Sequence, residues 1–301
     1  MIEKVVVRNY RGEELEIDLR NPFENGLVIV GIDGVTQTNA SINTGDYASS
    51  DGGFFTSART NSRNITLDLL FVEAPSIDAS RRRTYRFFPV KHEVTLEFYT
   101  KDRKSTISGY LESNESTMFS DQVGATISIM CPGAYLKSID TQIASFFSEP
   151  PSFHFSFANY DVVQPSIQMG DVSHMAENTI VYKGEAETGF VMRIRAHGIV
   201  KNIKLYDVDT REHLSINTDT IAKITGSNLV PGDEVIVSTV SGDRYATLLR
   251  AGVYTNILNS IDRTSSWLSL AKGDNVFVYT ADEGWDDVIF TIEYRDLYEG
   301  V

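Results

Sequence analysis

Cysteine is almost absent from this chain, which has a single one, Cys131, among 301 residues. No disulfide can therefore form within the chain, and packing and hydrogen bonds must hold the fold together. A structural zinc site is also disfavoured, because such sites usually combine several thiolates with histidines.

Positive charge is scarce as well. Lysine and arginine number 27 against 41 aspartates and glutamates, which leaves a formal net charge of -14. Such a chain is not expected to bind nucleic acid or an anionic membrane nonspecifically, because both need a basic surface. No window approaches the roughly twenty apolar residues that span a bilayer, and acidic residues interrupt the region where a signal peptide would be apolar. We expect a soluble protein made in a cytoplasm, with no membrane partner.

The sequence also lacks familiar catalytic and metal-binding motifs. No Gly-x-Ser-x-Gly motif marks a serine nucleophile, and no two of the five histidines have the i, i+4 spacing of a zinc-binding helix. Residues 282–287 place four acids around a glycine and a tryptophan. They suit an exposed loop better than a calcium site, because the spacing of a calcium-binding helix-loop-helix is missing. We expect no enzyme activity, no cofactor and no metal.

Apolar residues alternate with polar ones in many short segments, as is typical of half-buried β-strands. Ile65, Leu67 and Leu69 show the pattern clearly. Turn residues separate similar segments in the second half: 190–194, 203–206, 235–239, 276–280 and 288–294. The spacing predicts a mainly β protein whose second half is an antiparallel sandwich.

One helix is predicted in the first half. Ser76 after Pro75 suits a helix start, and Pro89 suits a helix end. Its apolar positions fit one helical face: Ile77, Tyr85 and Phe88.

The same helix holds four arginines: Arg81, Arg82, Arg83 and Arg86. A run of charge on a helix is usually its solvated face and contributes little to stability. In an oligomer these arginines could instead meet acidic residues of the next subunit. A role in lining a passage for DNA is weaker, because tight phosphate binding would hinder transit.

Two adjacent prolines suggest a division of the chain. They lie in the segment 148–151, Ser-Glu-Pro-Pro, which disfavours regular structure and is the best linker candidate. We predict three parts: a first domain over residues 1–137, a linker over 138–152 and a second domain over 153–301. Phe153, Phe155 and Phe157 alternate with other residues and predict a strand directly after the linker. The last predicted strand, 288–294, could belong to the sandwich or return to the first domain.

The segment 45–71, a loop followed by a strand, is typical of a surface that contacts another protein rather than of a catalytic site. Gly52 and Gly53 permit unusual backbone angles and close approach of another backbone. Phe54 and Phe55 follow them, and could anchor a neighbouring subunit or fill the core of their own domain.

Several segments resemble the distal tail protein family of long, non-contractile-tailed bacteriophages. In the first half they are residues 44–56, 63–67, 81–89, 93–99, 109–113 and 124–132. In the second half they are Tyr182-Lys-Gly-Glu185, Glu187-Thr-Gly-Phe190 and Ala281-Asp-Glu-Gly284, which resemble the larger, Gram-positive-type members.

The resemblance implies a fold and a role. The fold would be an N-terminal β-barrel or split-barrel belt domain with one helix, followed by a galectin-like β-sandwich. The protein would be a structural component of the virion tail tip, made in the host bacterial cytoplasm. Six copies would close a ring between the tail tube protein and a tail-tip or tail-associated lysin protein, with receptor-binding proteins attached and DNA only passing through.

The resemblance also focuses the choice of interface residues. The predicted subunit contacts are Phe54, Phe55, Arg59, Arg63, Arg81, Arg82 and Arg86. An alternative function is binding of cell-wall carbohydrate by the second domain, with Trp267 and Trp285 stacking on sugar rings.

Overall fold

Two compact units make up the chain in a computed structural model that describes residues 1–21, 23–117, 123–148, 173–174 and 176–301. The first unit comprises Met1–Asp140 together with Leu297–Val301, and the second comprises Thr141–Asp296. The strand predicted at Phe153, Phe155 and Phe157 lies outside the described residues. Along the described ranges, no helix combines the length and the apolar character that a membrane crossing needs.

Antiparallel strands dominate the first unit. They are, numbered in chain order, β1 Ile2–Asn9, β2 Glu14–Asp18, β3 Leu27–Asp33, β4 Ala40–Asp46, β5 Gly53–Thr60, β6 Arg63–Phe71, β7 Glu93–Thr100, β8 Lys104–Thr117, β9 Gly124–Cys131, β10 Leu136–Ser138 and β23 Leu297–Tyr298. The main path of the sheet runs β2-β1-β7-β8-β9-β6-β3, and β10 joins both β8 and β23. Among the strands that the structure describes, β4 and β5 pair only with each other.

The core of the first unit follows from alternation along these strands. In β6 the side chains of Ile65, Leu67 and Leu69 are buried while their neighbours are less so. They pack in one cluster with Ile127 and Ile129 of the adjacent β9. Because successive side chains of a strand point to opposite faces, the period of two in the sequence predicts this arrangement, and the prediction is confirmed.

A buried arginine joins three distant segments of the first unit. Arg63 opens β6 and is only 2% exposed. Its Nη1 donates to the carbonyl oxygens of Gly34 at 2.9 Å and Thr36 at 2.7 Å. Its Nε and Nη2 donate to Ala134 O at 3.1 and 3.0 Å, and Nη2 also reaches Glu299 O at 2.6 Å. Burial lowers the pKa of Arg63, and the carbonyl oxygens replace the water that its cation has lost.

The last residues of the chain belong to the first unit. Leu297 and Tyr298 pair with β10, Val301 N donates to Val35 O at 3.0 Å, and Arg103 lies over the Tyr298 ring at 4.5 Å. Residues 288–294, whose position the sequence left open, are instead a strand of the second unit. The chain therefore leaves the first unit after β10 and returns to it at β23.

The first helix, α1, spans Ile77–Phe87, and Ser76 caps it by accepting a hydrogen bond from Ala79 N at 3.2 Å. Its existence and position are as the sequence predicts. Of the three apolar residues that share the predicted face, Phe88 is buried, whereas Ile77 and Tyr85 are exposed. The helix buries Ser80, Thr84 and Phe87. Small side chains allow a close approach: Ser80 Oγ donates to Val72 O at 2.8 Å.

The end of α1 is tied to the turn between β1 and β2. Arg86 donates to the two carboxylate oxygens of Glu13, at 3.0 and 2.7 Å, and Asn9 Nδ2 donates to Glu13 Oε2 at 2.9 Å. These bonds, first that of Arg86 and then that of Asn9, lower the pKa of Glu13 to about 2.

The second unit is an antiparallel sandwich. Its main elements are β11 Gln142–Ser145, β14 Glu177–Tyr182, β15 Val191–Ala196, β16 Lys201–Asp207, β17 His213–Ile216, α2 Thr218–Thr225, β18 Glu234–Ser238, β19 Tyr245–Arg250, β20 Val253–Asn256, a 3₁₀ helix Leu258–Ser260, β21 Gly273–Glu283 and β22 Val288–Tyr294. One sheet runs β11-β22-β15-β18-β19-β20 and the other β14-β21-β16-β17, while the short strands β12 Phe147–Ser148 and β13 Ser173–His174 pair with each other.

Aromatic side chains fill the space between the two sheets. Tyr279 of β21 stacks on Phe290 of β22 at 5.0 Å between ring centroids, and Phe146 meets Phe290 edge to face. Such contacts are worth about 0.5–1.5 kcal/mol beyond the area that they bury. The sandwich architecture predicted for the second half is confirmed.

The boundary between the units lies between Asp140 and Thr141, inside the predicted linker. Residues 142–145 of that segment form β11 and pair with β22. Residues 149–152 lie outside the described ranges.

Replacing Arg63 tests how much the buried guanidinium stabilises the first unit. We expect Arg63→Met to lower the free energy of unfolding by about 3 kcal/mol or more, because each buried acceptor left unsatisfied costs about 1–3 kcal/mol. Urea denaturation followed by hydrogen exchange of the β6 and β9 amides measures the change. Arg59→Met, at an exposed arginine four residues earlier, is the control and should stay within about 0.5 kcal/mol of the natural chain. Equal effects of the two substitutions would contradict the assignment.

The Glu13–Arg86 pair gives a pH prediction. Because the pKa of Glu13 in the folded chain is about 2, below the unfolded value of about 4.3, the pair stabilises the fold above that unfolded value and stops doing so as the pH falls through about 2. We expect Arg86→Gln to move the titration of the Glu13 carboxyl carbon, followed by NMR, to higher pH. Arg82→Gln on the same helix should leave it in place. A midpoint unaffected by Arg86→Gln would disprove the pairing.

Candidate subunit interface

The hairpin of β4 and β5 is built around three glycines. A Cβ atom on Gly53 would lie 2.7 Å from the carbonyl oxygen of Gly45, and one on Gly45 would lie 2.6 Å from the Phe54 ring. Gly52 has φ +95°, in the left-handed region that other residues rarely adopt. These glycines let the two strands and the Phe54 ring pack closely near the hairpin tip.

The hairpin is almost fully exposed to solvent. All eight residues of β5 are exposed, as are most of β4. Among the described strands, each of the two has the other as its sole ladder partner. The outer edges of the hairpin are therefore unpaired and could pair with another chain. An isolated two-stranded hairpin is at best marginally stable in water.

The two phenylalanines at the tip face opposite ways, because they are consecutive in a strand. Phe54 lies over Gly45 and against Tyr47, with ring centroids 5.4 Å apart, and is 46% exposed. Phe55 pairs across the hairpin with Thr44, on the same face as Ile42. Phe55 and Ile42 are each 65% exposed, so this face of the hairpin is an uncovered apolar surface.

The base of the hairpin is firmly held. Asn61 N donates to Asn39 O at 3.0 Å, and Ser41 Oγ lies 2.7 Å from Asn61 Oδ1. Thr60 Oγ1 is 3.1 Å from the Tyr135 hydroxyl. The hairpin therefore projects from fixed ends.

Arg63 corrects the sequence-based expectation. It was predicted to contact a neighbouring subunit, but its guanidinium is buried and donates to carbonyls of its own chain. One of those carbonyls, that of Thr36, precedes β4, and Arg63 itself follows β5. Its role is to fix the base of the hairpin rather than to meet another subunit. Arg59 lies exposed on β5 and stays a predicted contact.

The arginines of α1 differ in their surroundings. Arg81 pairs with Asp78 at 2.9 Å, Arg83 donates to the carbonyl of Asn25, and Arg86 pairs with Glu13. Arg82 is exposed, and its Nε lies 3.4 Å from Asp78 O on its own helix. Arg82 is thus the arginine of this helix most available to another chain. Arg81 and Arg86 already form ion pairs within their own chain, with Asp78 and Glu13.

A groove that the sequence did not indicate lies where β2 and β3 approach each other without pairing. It has a volume of about 640 Å³. Apolar side chains from both ends of the sheet path line it, and charged side chains of both signs flank it: Met1, Ile2, Leu19, Val28, Ile29, Glu3, Arg20 and Lys101. No local motif could have revealed it, because the lining residues come from four separate segments.

The two tryptophans proposed to stack on sugar differ in exposure. Trp267 packs against the core of the second unit, with the Arg244 guanidinium 5.2 Å from its ring centroid. Trp285 is 42% exposed and lies between β21 and β22. The ring of Trp267 therefore has internal contacts where a sugar would stack.

Two acidic side chains of the segment near Trp285 bind partners within the second unit. Asp282 accepts from Asn202 Nδ2 at 2.9 Å, and Glu283 pairs with Lys201 at 2.7 Å. Across the part of the chain that the structure describes, no three His, Cys, Asp or Glu side chains gather in an arrangement suited to a metal ion.

Comparison by sequence gives no relatives: no protein-family model matches the chain, and a search of curated proteins finds no match.

Comparison by structure does find similar proteins. The crystal structure of SPP1 Dit, described as a paradigm of the hub adsorption apparatus in Gram-positive infecting phages, has a TM-score of 0.63 and 11% identity; the match covers 97% of this chain and 98% of that one. Two structures of the phage P2 baseplate in its activated conformation, with Ca and with Sr, have TM-scores of 0.48 and 0.47 at 12% identity. They cover 97% of this chain and 98% and 97% of theirs. The mainly β fold of this chain is thus similar to that of SPP1 Dit over nearly its whole length, which confirms the fold predicted from the resemblance to distal tail proteins.

Proposed function

We propose that this chain is a structural protein of a bacteriophage tail, in which its copies form a ring at the distal end of the tail tube. The observation that carries the proposal is the likeness of fold to SPP1 Dit, which extends over 97% of this chain and 98% of that one. Likeness of fold alone leaves function open, so the proposal also needs support from the surface of the chain.

That support is the β4–β5 hairpin. It projects from a base fixed by Arg63 and offers two unpaired edges and an uncovered apolar face. An exposed apolar surface does not stabilise a monomer, whereas contact with another subunit would remove it from water. When the contact joins two different surfaces of identical copies, a rotation that closes produces a ring without open ends.

The proposed ring has six copies, with the tail tube protein on one side and a tail-tip or tail-associated lysin protein on the other. Receptor-binding proteins would attach at its periphery, and DNA would only pass through its centre. The net charge of -14 suits passage, because an acidic ring does not retain phosphate. The work of such a chain is mechanical, and we propose no reaction and no cofactor for it.

The carbohydrate-binding alternative has less support. Trp267 is engaged by the core and by Arg244, which leaves Trp285 as the one proposed aromatic with a substantial exposed face. A glycan array probed with the full chain would revive this alternative if binding fell on Trp285→Ala and not on Trp267→Ala.

Hydrodynamic mass and position in the particle test the proposed role together. We expect light scattering over a concentration series to show monomers and one closed species of six copies, because a closed ring has no ends to extend. We also expect an antibody against the chain to label purified tails at the end distal to the capsid. A continuous ladder of larger species would contradict ring closure, and labelling along the whole tail or on the capsid would contradict the assigned place.

A further inference from the structure

We propose that a polar pocket at the base of the β4–β5 hairpin binds an oxyanion, a carboxylate or phosphate group, which balances the buried charge of Arg63. The pocket lies where residues 34–39 lead into the hairpin and residues 61–64 leave it, and it has a volume of about 490 Å³. The inference goes beyond the proposed role in the tail, because it concerns a ligand of the single chain and does not depend on a ring.

The first argument is a buried cation without a carboxylate partner. The Arg63 guanidinium is among the groups that line the pocket, and it is 2% exposed. It forms no ion pair with any residue that the structure describes, and its partners are carbonyl oxygens. Buried charges are usually paired, because the loss of water is costly. The carbonyl oxygens satisfy the donors of Arg63 but carry no net charge, so the neighbouring pocket has a positive potential.

The second argument is the lining of the pocket. Hydroxyl and amide side chains make up most of it: Thr36, Thr38, Asn39, Asn61, Ser62 and Asn64. These side chains supply O–H and N–H donors, and none of the described lining residues carries a negative charge that would repel an anion. The carboxylate of Glu299 is bound at the edge of the pocket, where it accepts from Gln37 Nε2 at 2.6 Å.

The third argument is which polar atoms of the lining are already bound. The side-chain oxygens of Asn61 and Asn64 accept hydrogen bonds from Ser41 Oγ at 2.7 Å and from Ser128 Oγ at 3.1 Å. Two backbone carbonyl oxygens of the lining accept from Arg63. Within the described part of the chain, the Nδ2 groups of the two asparagines have no acceptor. Occupied acceptors beside free donors favour a ligand that only accepts hydrogen bonds, as an ionised oxyanion does.

An uncharged saccharide fits the pocket less well than an oxyanion. Sugar hydroxyls donate as well as accept, and the described lining includes no aromatic ring on which a sugar could stack. The positive charge of Arg63 would also contribute little to the binding of a neutral ligand.

Thermal unfolding of the full chain tests the site, with inorganic phosphate and acetate as probes and chloride at equal ionic strength as the reference. The sole thiol, Cys131, is buried in the core of the first unit, so its labelling by a thiol reagent on heating reports that unit. A ligand that binds only the folded chain raises the unfolding midpoint with the logarithm of its concentration above its Kd. We expect both probes to raise the midpoint of the natural chain.

A carboxylate placed in the pocket should replace the ligand. We expect Ser62→Asp to raise the unfolding midpoint in chloride, and to weaken the binding of both probes at least about tenfold. Ser62→Asn has a similar size without the charge and should keep the response to the probes. Ser269→Asp, at an exposed serine of the second unit, adds the same charge outside the pocket and should respond like the natural chain. Should Ser62→Asp fail to fold, Asn39→Asp repeats the test at another lining residue.

The comparison between variants is decisive, because phosphate also stabilises proteins by exclusion from their surface. Equal responses of the natural chain and Ser62→Asp would refute the site, as would a natural chain whose midpoint in either probe equals that in chloride. The probe that binds more tightly identifies the oxyanion as a phosphate or a carboxylate group. Measurement at a concentration where light scattering shows monomers keeps this test separate from ring formation, so failure of the site leaves the proposed function standing.

Discussion

The arrangement of the first unit depends on one buried cation. The planar guanidinium of Arg63 has enough donors to bind carbonyl oxygens from the segment before β4, the segment before β10 and the end of the chain at once. A lysine in its place would have fewer donors and no fixed plane. Because Arg63 directly follows β5 and Thr36 lies just before β4, the same cluster holds both ends of the hairpin. The contacts that fix the β4–β5 hairpin therefore lie in the interior of the unit, while the apolar surface of the hairpin is exposed.

This separation explains why the hairpin can remain exposed. The core of the first unit is complete without β4 and β5, since its buried apolar residues come mainly from the main sheet path and α1. The hairpin contributes no member to that cluster. Its residues are consequently free of the demands of internal packing. They include two phenylalanines, an exposed isoleucine and acidic residues at the tip.

The second unit has a hydrophobic core of its own. Its two sheets enclose a continuous aromatic and aliphatic core that includes Tyr279, Phe290 and Phe190, and ion pairs such as Arg193 with Glu293 and Glu234 lie on one sheet. The chain enters this unit after β10 and leaves it before β23. Both of these strands belong to the first unit, where they pair with each other. The return of the chain supplies the carbonyl of Glu299 to Arg63.

The sequence by itself determined the strands, the helix limits at Ser76 and Pro89 and the mainly β class, because alternation, caps and turns are local properties. Its prediction that Phe54 and Phe55 contact another subunit stays a prediction. It misjudged Arg63, because whether an arginine is buried depends on carbonyls that lie far away in the sequence. It did not indicate that hydroxyl-bearing Ser80 and Thr84 lie on the buried side of α1, because hydrophobicity alone does not predict that approach. Only the tertiary structure decided which sheet edges stay open and which residues form the groove, because both depend on how segments distant in the chain come together.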